Sequence, residues 1–384
     1  YTPIFISHKK LNKKMDNTPK SSHPLEELYE ILGEDLEDCT SDGLLISENE
    51  DPIPLTNDSF KEIKESGASR KIAFVDGGDG ILEEAPNFLI NINRIYFSMF
   101  SGKKRISPST IKSRIEFFSS VVTKILKEDS KITVTYKTKL FPYDDQDRKL
   151  LPDEIDLEST TEGATILEKG RINSLSRRFA EWSFAKKIVE EELGEGDIIV
   201  KDGALQTGFK NETRYAKELY DIAMKKGVIV CGLAKASRII ELDCAEPIIA
   251  KVQQFSKKLN LGKWYFEVGN LPGDDMGFNL ITKFHQNSNH VFRFEILTEQ
   301  YKKMTEAERN DVLESFANNS KDMAIIGYPY GFIDADRFAQ VRMNELGMYK
   351  GLLISQMAKH PEWKKLRSHS SSTKFHDKLN RVTS

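Results

Sequence analysis

The chain has 384 residues, 30% of them charged, a formal net charge of −3 and three cysteines. That length supplies ample core for one large domain or two modest ones, and its longest apolar stretches are strand-sized, which excludes a helical membrane span. A slightly acidic chain has no uniform basic coat, so any polyanion must be held locally, by a groove or a tail.

Cys39, Cys231 and Cys244 give no disulfide framework and no CxxC metal pair, which fits a reducing cytoplasm. The opening residues, YTPIFISHKKLNKKM, carry no sustained apolar core or cleavage pattern, and Met15 is a candidate native start. From Glu26 to Glu65 fourteen acidic residues face two lysines. Within that stretch HPLEELYEILGEDLED spaces Leu25, Leu28, Ile31 and Leu32 as an amphipathic helix. Residues 1–66 therefore read as an acidic, partly helical segment, residues 67–358 as the main domain and residues 359–384 as a basic flexible tail.

The main domain opens on KIAFVDGGDG, Lys71 to Gly80, a nearly continuous apolar run that reads as a strand buried on both faces. The reading ends the strand at Asp76, with Gly77 and Gly78 allowing a sharp turn or a close approach of another group. FLININRIYFSMF is a second strand, SPSTIKSRIEFFSSVVTKILKED leans to helix on its serine caps despite a β-rich centre, and KITVTYKTKLF alternates as a half-exposed strand. Residues 142–165 are acidic and loop-like.

NSLSRRFAEWSFAKKIVEEELGEGD then spaces Leu175, Phe179, Trp182, Ala185, Ile188 and Val189 as a helix, with Ser174 or Ser176 as cap and Glu181 beside the apolar stripe. GDIIVKDGALQTG repeats the earlier pattern, delivering Asp202 into Gly203, and a helix from Lys210 to Lys226 leads to the strand GVIVCGLA. That order is a parallel βαβ unit. KWYFEVG and HVFRFEIL are strand-like, with Trp264 and Tyr265 read as core, and DADRFAQVRMNELGMYKGLLISQM reads as one long helix capped by Asp334.

Two buried strands that each carry an aspartate beside glycine suggest one shared site. Like charges brought together there need something positive between them, and a divalent cation held by carboxylates is the economical answer. For Glu181 the alternative is a solvated helix carboxylate paired with Arg177 or Arg178. Asp202 can equally be a turn residue, and Lys235, past a strand end, either holds a phosphate or is simply exposed. Arg293 in FRFEI faces a groove or makes a cross-strand pair.

Taken in order, AFVDGG, RRFAEW, IIVKDGAL, GVIVCGLAKAS and GYPYGFIDADRFAQV resemble the motifs of the NurA nuclease family, over residues 70 to 350. The resemblance implies an α/β, RNase H-like fold: a mixed sheet flanked by helices, with a helical N-terminal segment and a C-terminal helix. It implies a site of Asp76, Glu181 and Asp202 holding two Mn²⁺ or Mg²⁺ ions, joined by Tyr328 and by Asp336, where many relatives carry histidine. Lys235, Arg238 and Arg293 are the implied DNA contacts. The implied activity is metal-dependent 5′-to-3′ exonuclease action on single- and double-stranded DNA with endonuclease action on single strands. The implied partners are a second copy in a homodimer and a HerA-type hexameric ATPase, in cytoplasmic DNA end resection and recombinational repair. Two rivals stand beside this: a catalytically silent NurA-like adaptor of the ring, and an actin-like ATPase, whose Gly-rich phosphate loops VDGGDGI and KDGALQTG supply poorly.

Overall fold

The computed structural model describes residues 23–36, 43–48, 51–67, 69–128, 131–162, 169–273 and 276–371. The expectations for the opening residues with Met15, and for the end of the basic tail, lie outside them. The chain divides into two compact units, Tyr1–Thr40 and Ser41–Ser384. The described part of the first is the expected helix, α1 (Pro24–Asp35), which starts on a proline and is capped by His23 Nδ1 accepting from the Leu25 amide at 3.3 Å. No described helix is long and apolar enough to cross a membrane.

In the second unit a two-stranded ribbon, β1 (Gly43–Leu44) with β2 (Ile53–Pro54), precedes β3 (Phe60–Glu62). Next come β4 (Lys71–Ala85), β5 (Phe88–Ser101), β6 (Lys104–Ile106), β7 (Arg114–Glu128), β8 (Lys131–Pro142) and β9 (Ser159–Glu162). The βαβ unit follows as α2 (Lys169–Glu191), β10 (Ile198–Asp202), α3 (Glu212–Lys226) and β11 (Ile229–Ala234). Last are α4 (Ile248–Ser256), β12 (Trp264–Gly269), β13 (Gly277–Lys283), β14 (Phe292–Leu297), α5 (Thr298–Lys303), α6 (Glu306–Asn319), α7 (Tyr330–Ala339), α8 (Met343–Met357) and α9 (Trp363–Ser371).

Among the described residues one twelve-stranded sheet runs β3-β12-β13-β14-β11-β10-β4-β5-β7-β8-β9, with β6 added beside β5. Strand β10 is parallel to both β4 and β11, and the remaining pairs are antiparallel. This is the mixed sheet flanked by helices that the sequence led us to expect. Ala73, Val75 and Ile199 pack under α2 and α3 with Phe179, Trp182 and Leu219, while Ile72, Phe74 and Val200 pack on the other face with Phe316 and Phe332. Burial on both sides explains why the central strands read as continuous apolar runs instead of alternating ones. Trp264 and Tyr265 are core residues, as expected.

Four local expectations are corrected. The stretch expected as a helix around residues 107–129 is instead β7, paired along its length with β5 and β8. Its Phe, Val, Thr and Ile content suits a strand with two partners, and that pairing overrides a serine cap. The single long C-terminal helix is two helices, broken where Gln340 takes an extended backbone. Asp334 is not a cap: it lies inside α7, buried, with an ion pair to Arg105 at 3.0 Å. Finally, β4 does not end at Asp76 but continues to Ala85, still paired with β5.

Strand alternation decodes VDGGDG. Asp76, Gly78 and Gly80 face α7 and α8, whereas Gly77 and Asp79 face α2. A Cβ on Gly77 would meet the Glu181 carboxylate and Arg177, and one on Gly78 would collide with the Ala339 carbonyl at the end of α7. The glycines are required because helices from both sides come down onto adjacent residues of one strand. Gly78→Ala should destabilise the protein by about 1–3 kcal/mol through this overpacking. Chemical denaturation should show Gly351→Ala, in open space on α8, to be neutral or stabilising.

Candidate active site

Asp76 and Asp202 lie at the same level of neighbouring parallel strands, since Lys201 pairs with Val75. Both aspartates point to the α7 face, and Gly203, whose amide still donates to the Leu233 carbonyl of β11 at 2.8 Å, turns the chain with φ of 93°, a conformation suited to glycine. Lys235 follows the end of β11, and its ammonium sits among three carboxylates: Asp336 at 3.0 Å, Asp202 at 3.1 Å and Asp76 at 3.5 Å. Asp336 enters from α7, in the helix's C-terminal half and not in its first turn. The Tyr328 ring is buried beside them, and its hydroxyl has no hydrogen-bond partner among the described residues.

Glu181 approaches from the other face. It is buried between two cations, Arg177 Nη1 at 2.5 Å and Lys201 Nζ at 2.7 Å, and Lys201 also lies over the Trp182 ring. The pairing with Arg177 was visible as an i,i+4 spacing. Lys201 was legible only through its place beside Asp202 on a strand, which turns it to the opposite face. Arg177 also donates to Asp79 at 3.0 Å and to the Gly77 carbonyl at 3.1 Å, so α2 is clamped onto the glycine pair.

Electrostatics separate these groups. Burial, reinforced by the Asp202 charge and opposed by Lys235, pushes Asp76 up to about 7 from an ordinary 3.8. Burial works against the charge on Lys235, but Asp76 and Asp202 overcome it and hold the ammonium above its ordinary range. Glu181 is depressed: burial would raise it, and Lys201 and Arg177 outweigh that. Burial raises Tyr328, which stays a neutral phenol.

The structure thus gathers Asp76, Asp202, Asp336, Tyr328 and Lys235, and sets Glu181 just across β4 from them. Arg238 is exposed in the loop after β11. Arg293 is held in a buried polar pair of contacts, with Asn279 Oδ1 at 2.7 Å and Glu295 at 2.7 Å, and does not line the carboxylate cluster.

The donor set suits a hard cation: three carboxylates and a phenol, with no sulfur or imidazole. The buried, unpartnered Tyr328 hydroxyl also fits a site built for a further polar guest. Ligand contacts to Mg²⁺ are near 2.1 Å, so the carboxylates must close in and Lys235 must withdraw for an ion to be held there. Among the described residues a tighter group, Glu241, Cys244 and Glu246, brings its ligand atoms within 4.8 Å of one another. It does not compete: Lys251 already donates to Glu241 at 2.7 Å.

No protein-family model and no curated protein matches the chain. Among solved structures, it is similar to one described as the crystal structure of NurA, at 8% identity and a TM-score of 0.48, over 90% of this chain and all of that one. It is also similar to Ciona intestinalis endonuclease V bound to inosine-containing DNA, at 8% identity, a TM-score of 0.35 and coverage of 82% and 96%. A third is A. aeolicus Argonaute, at 8% identity and a TM-score of 0.29, with 71% of this chain against 28% of that one.

Because Asp76 is raised in the fold, its neutral form is the one the fold prefers. The stability this gives is complete below the ordinary carboxylate range and is lost as pH rises through about 7. In EDTA, Asp76→Asn should melt close to the parent at pH 4 and several degrees above it at pH 8. Superimposable pH profiles of melting temperature would exclude this account.

Proposed function

We propose that the protein is a metal-dependent DNA nuclease of the NurA type. The observation that carries the reading is the convergence of Asp76, Asp202 and Asp336 from three separate elements on one cationic point, beside the unpartnered Tyr328 hydroxyl. Asp76, Asp202 and Asp336 hold Mn²⁺ or Mg²⁺ in this reading, with Glu181 behind them. Such ions, when bound, neutralise the phosphodiester and supply an activated water. Lys235, displaced from the carboxylates, turns its ammonium to the scissile phosphate. The Tyr328 hydroxyl donates to a phosphate oxygen, which satisfies an otherwise orphaned group.

The finer assignments belong to the same proposal: 5′-to-3′ exonuclease action on both DNA forms, endonuclease action on single strands, and a role in end resection with a HerA-type hexameric ATPase. The division into an acidic segment (1–66), a nuclease domain (67–358) and a basic tail (359–384), with Lys235 and Arg238 on DNA, is part of it too. A homodimer is supported by an apolar recess of about 570 Å³ between α8 and the β7–β8 hairpin, lined by Leu82, Phe118, Phe141, Tyr349, Leu352 and Leu353.

One observation favours a second reading. Lys235 stands where a cation would sit, and Glu181 is already neutralised by Arg177 and Lys201, as suits a silent adaptor that keeps the fold without the chemistry. End-labelled linear DNA decides between them. With Mn²⁺ or Mg²⁺ the protein should degrade it, with EDTA it should not, and Asp76→Ala or Asp202→Ala should lose at least about 100-fold. No cleavage under any of these conditions, with a HerA-type ring and ATP supplied, would leave the adaptor standing.

A further inference from the structure

Beside the carboxylates the surface changes sign. Across the sheet, Asp76 lies opposite Tyr96 on β5, and Tyr96 lies opposite Arg114 on β7. Two strand spacings, about 10 Å, therefore separate the acidic site from an arginine on the same face. There a recess of about 350 Å³ is lined by Arg94, Arg114, Arg337 and Arg342, with Glu345 as its one acidic group. Arg94 is structural, bound to Glu116 at 2.7 Å and Glu345 at 2.9 Å. Arg337 and Arg342 are exposed, and Arg114 is half-exposed with a loose contact to Glu116 at 3.6 Å.

Phe338 stands in the wall of this recess, 40% exposed, two residues beyond Asp336 on α7. Its ring packs against Tyr96, 5.1 Å away at an interplanar angle of 32°, and carries two guanidinium contacts, Arg105 at 5.5 Å and Arg337 at 5.8 Å from its centroid. Arg105 is itself fixed by Asp334 at 3.0 Å and by the Tyr96 hydroxyl at 2.6 Å. A rigidly held aromatic ring at the surface beside exposed arginines offers a π-system next to cations. It matches the pairing of stacking platform and cationic groove that binds single strands.

We infer that this recess is a subsite for single-stranded DNA, in which Phe338 stacks on an unpaired base while Arg337, Arg114 and Arg342 hold the flanking phosphates. The inference rests on the nuclease reading of the adjacent carboxylates, and it adds the direction in which a strand leaves them: over α7 toward β5 and β7. A duplex hides its base faces, so the platform selects an unpaired strand, and charge alone would not.

The test is fluorescence anisotropy of a labelled oligo-dT with the full chain in EDTA, so that binding is read without cleavage. Phe338→Ala and Phe338→Leu should weaken oligo-dT binding by about 5- to 150-fold, with Phe338→Trp close to the parent. Their effect on a blunt duplex should be much smaller. Arg337→Gln should lower the slope of log affinity against log salt by about 0.7. Melting temperatures of the variants identify any loss due to misfolding, and Phe338→Leu keeps the apolar volume while removing the ring. Unchanged oligo-dT affinity in folded Phe338→Ala and Phe338→Leu, equal losses for duplex and single strand, or no oligo-dT binding by the parent would each overturn the inference. A parent that binds oligo-dT through Phe338 yet never cleaves with metal would sink the nuclease reading and leave this subsite intact.

Discussion

Two helices reach β4 at adjacent residues from opposite sides, and the arrangement around Asp76 depends on that contact. A sheet normally holds its covering helices off by the depth of its side chains. At Gly77 and Gly78 there are none, so the Glu181 and Arg177 side chains of α2 settle against one face while the Ala339–Gln340 backbone settles against the other. The break between α7 and α8 belongs to the same contact, because the Gln340 carbonyl freed by it accepts from Arg94 at 2.9 Å. What reads in sequence as a loose turn is a close three-layer contact.

That packing brings four carboxylates to one level of the sheet, and their compensation is unequal. Glu181 meets two cations on the α2 side, Lys201 and the Arg177 that it shares with Asp79, whereas Asp76, Asp202 and Asp336 share the ammonium of Lys235 on the α7 side. Burial, with the Asp202 charge beside it, outweighs Lys235 at Asp76 and pushes that one carboxyl toward its neutral form. The negative potential able to attract a cation is therefore on the α7 face. Glu181 shapes that face from behind, through the strand, by fixing Lys201 and α2.

The sequence made the strongest local signals legible. The apolar run into Asp202, the periodic helix after it and the next apolar strand appear in that order as a parallel unit, and Asp76 and Asp202 both face Lys235. The failures share one cause. Residues 114–128 formed a strand because partners existed on both sides, and the C-terminal helix broke because Gly78, more than 250 residues earlier in the chain, receives its backbone; neither partner is visible in a local window. Phe338 and Arg105 went unread for the same reason. Their contact joins a helix to a short strand far away in sequence, and nothing in either segment marks it.

A phosphodiester brings negative charge to a place that already holds three carboxylates against one ammonium. At distances near 4 Å each unscreened repulsion costs several times what it would in bulk water once the groups are partly buried. Lys235 alone leaves the cluster negative even with Asp76 protonated, so an anion cannot settle there unless more positive charge arrives with it. Among the described residues two sources are at hand: the arginines of the neighbouring recess, which can hold a strand nearby without entering the cluster, and a divalent cation, which can enter it. A nuclease therefore needs both, one to keep the strand and one to reverse the sign of the site. An adaptor needs neither, and in an adaptor Lys235 would stay where it is at every metal concentration.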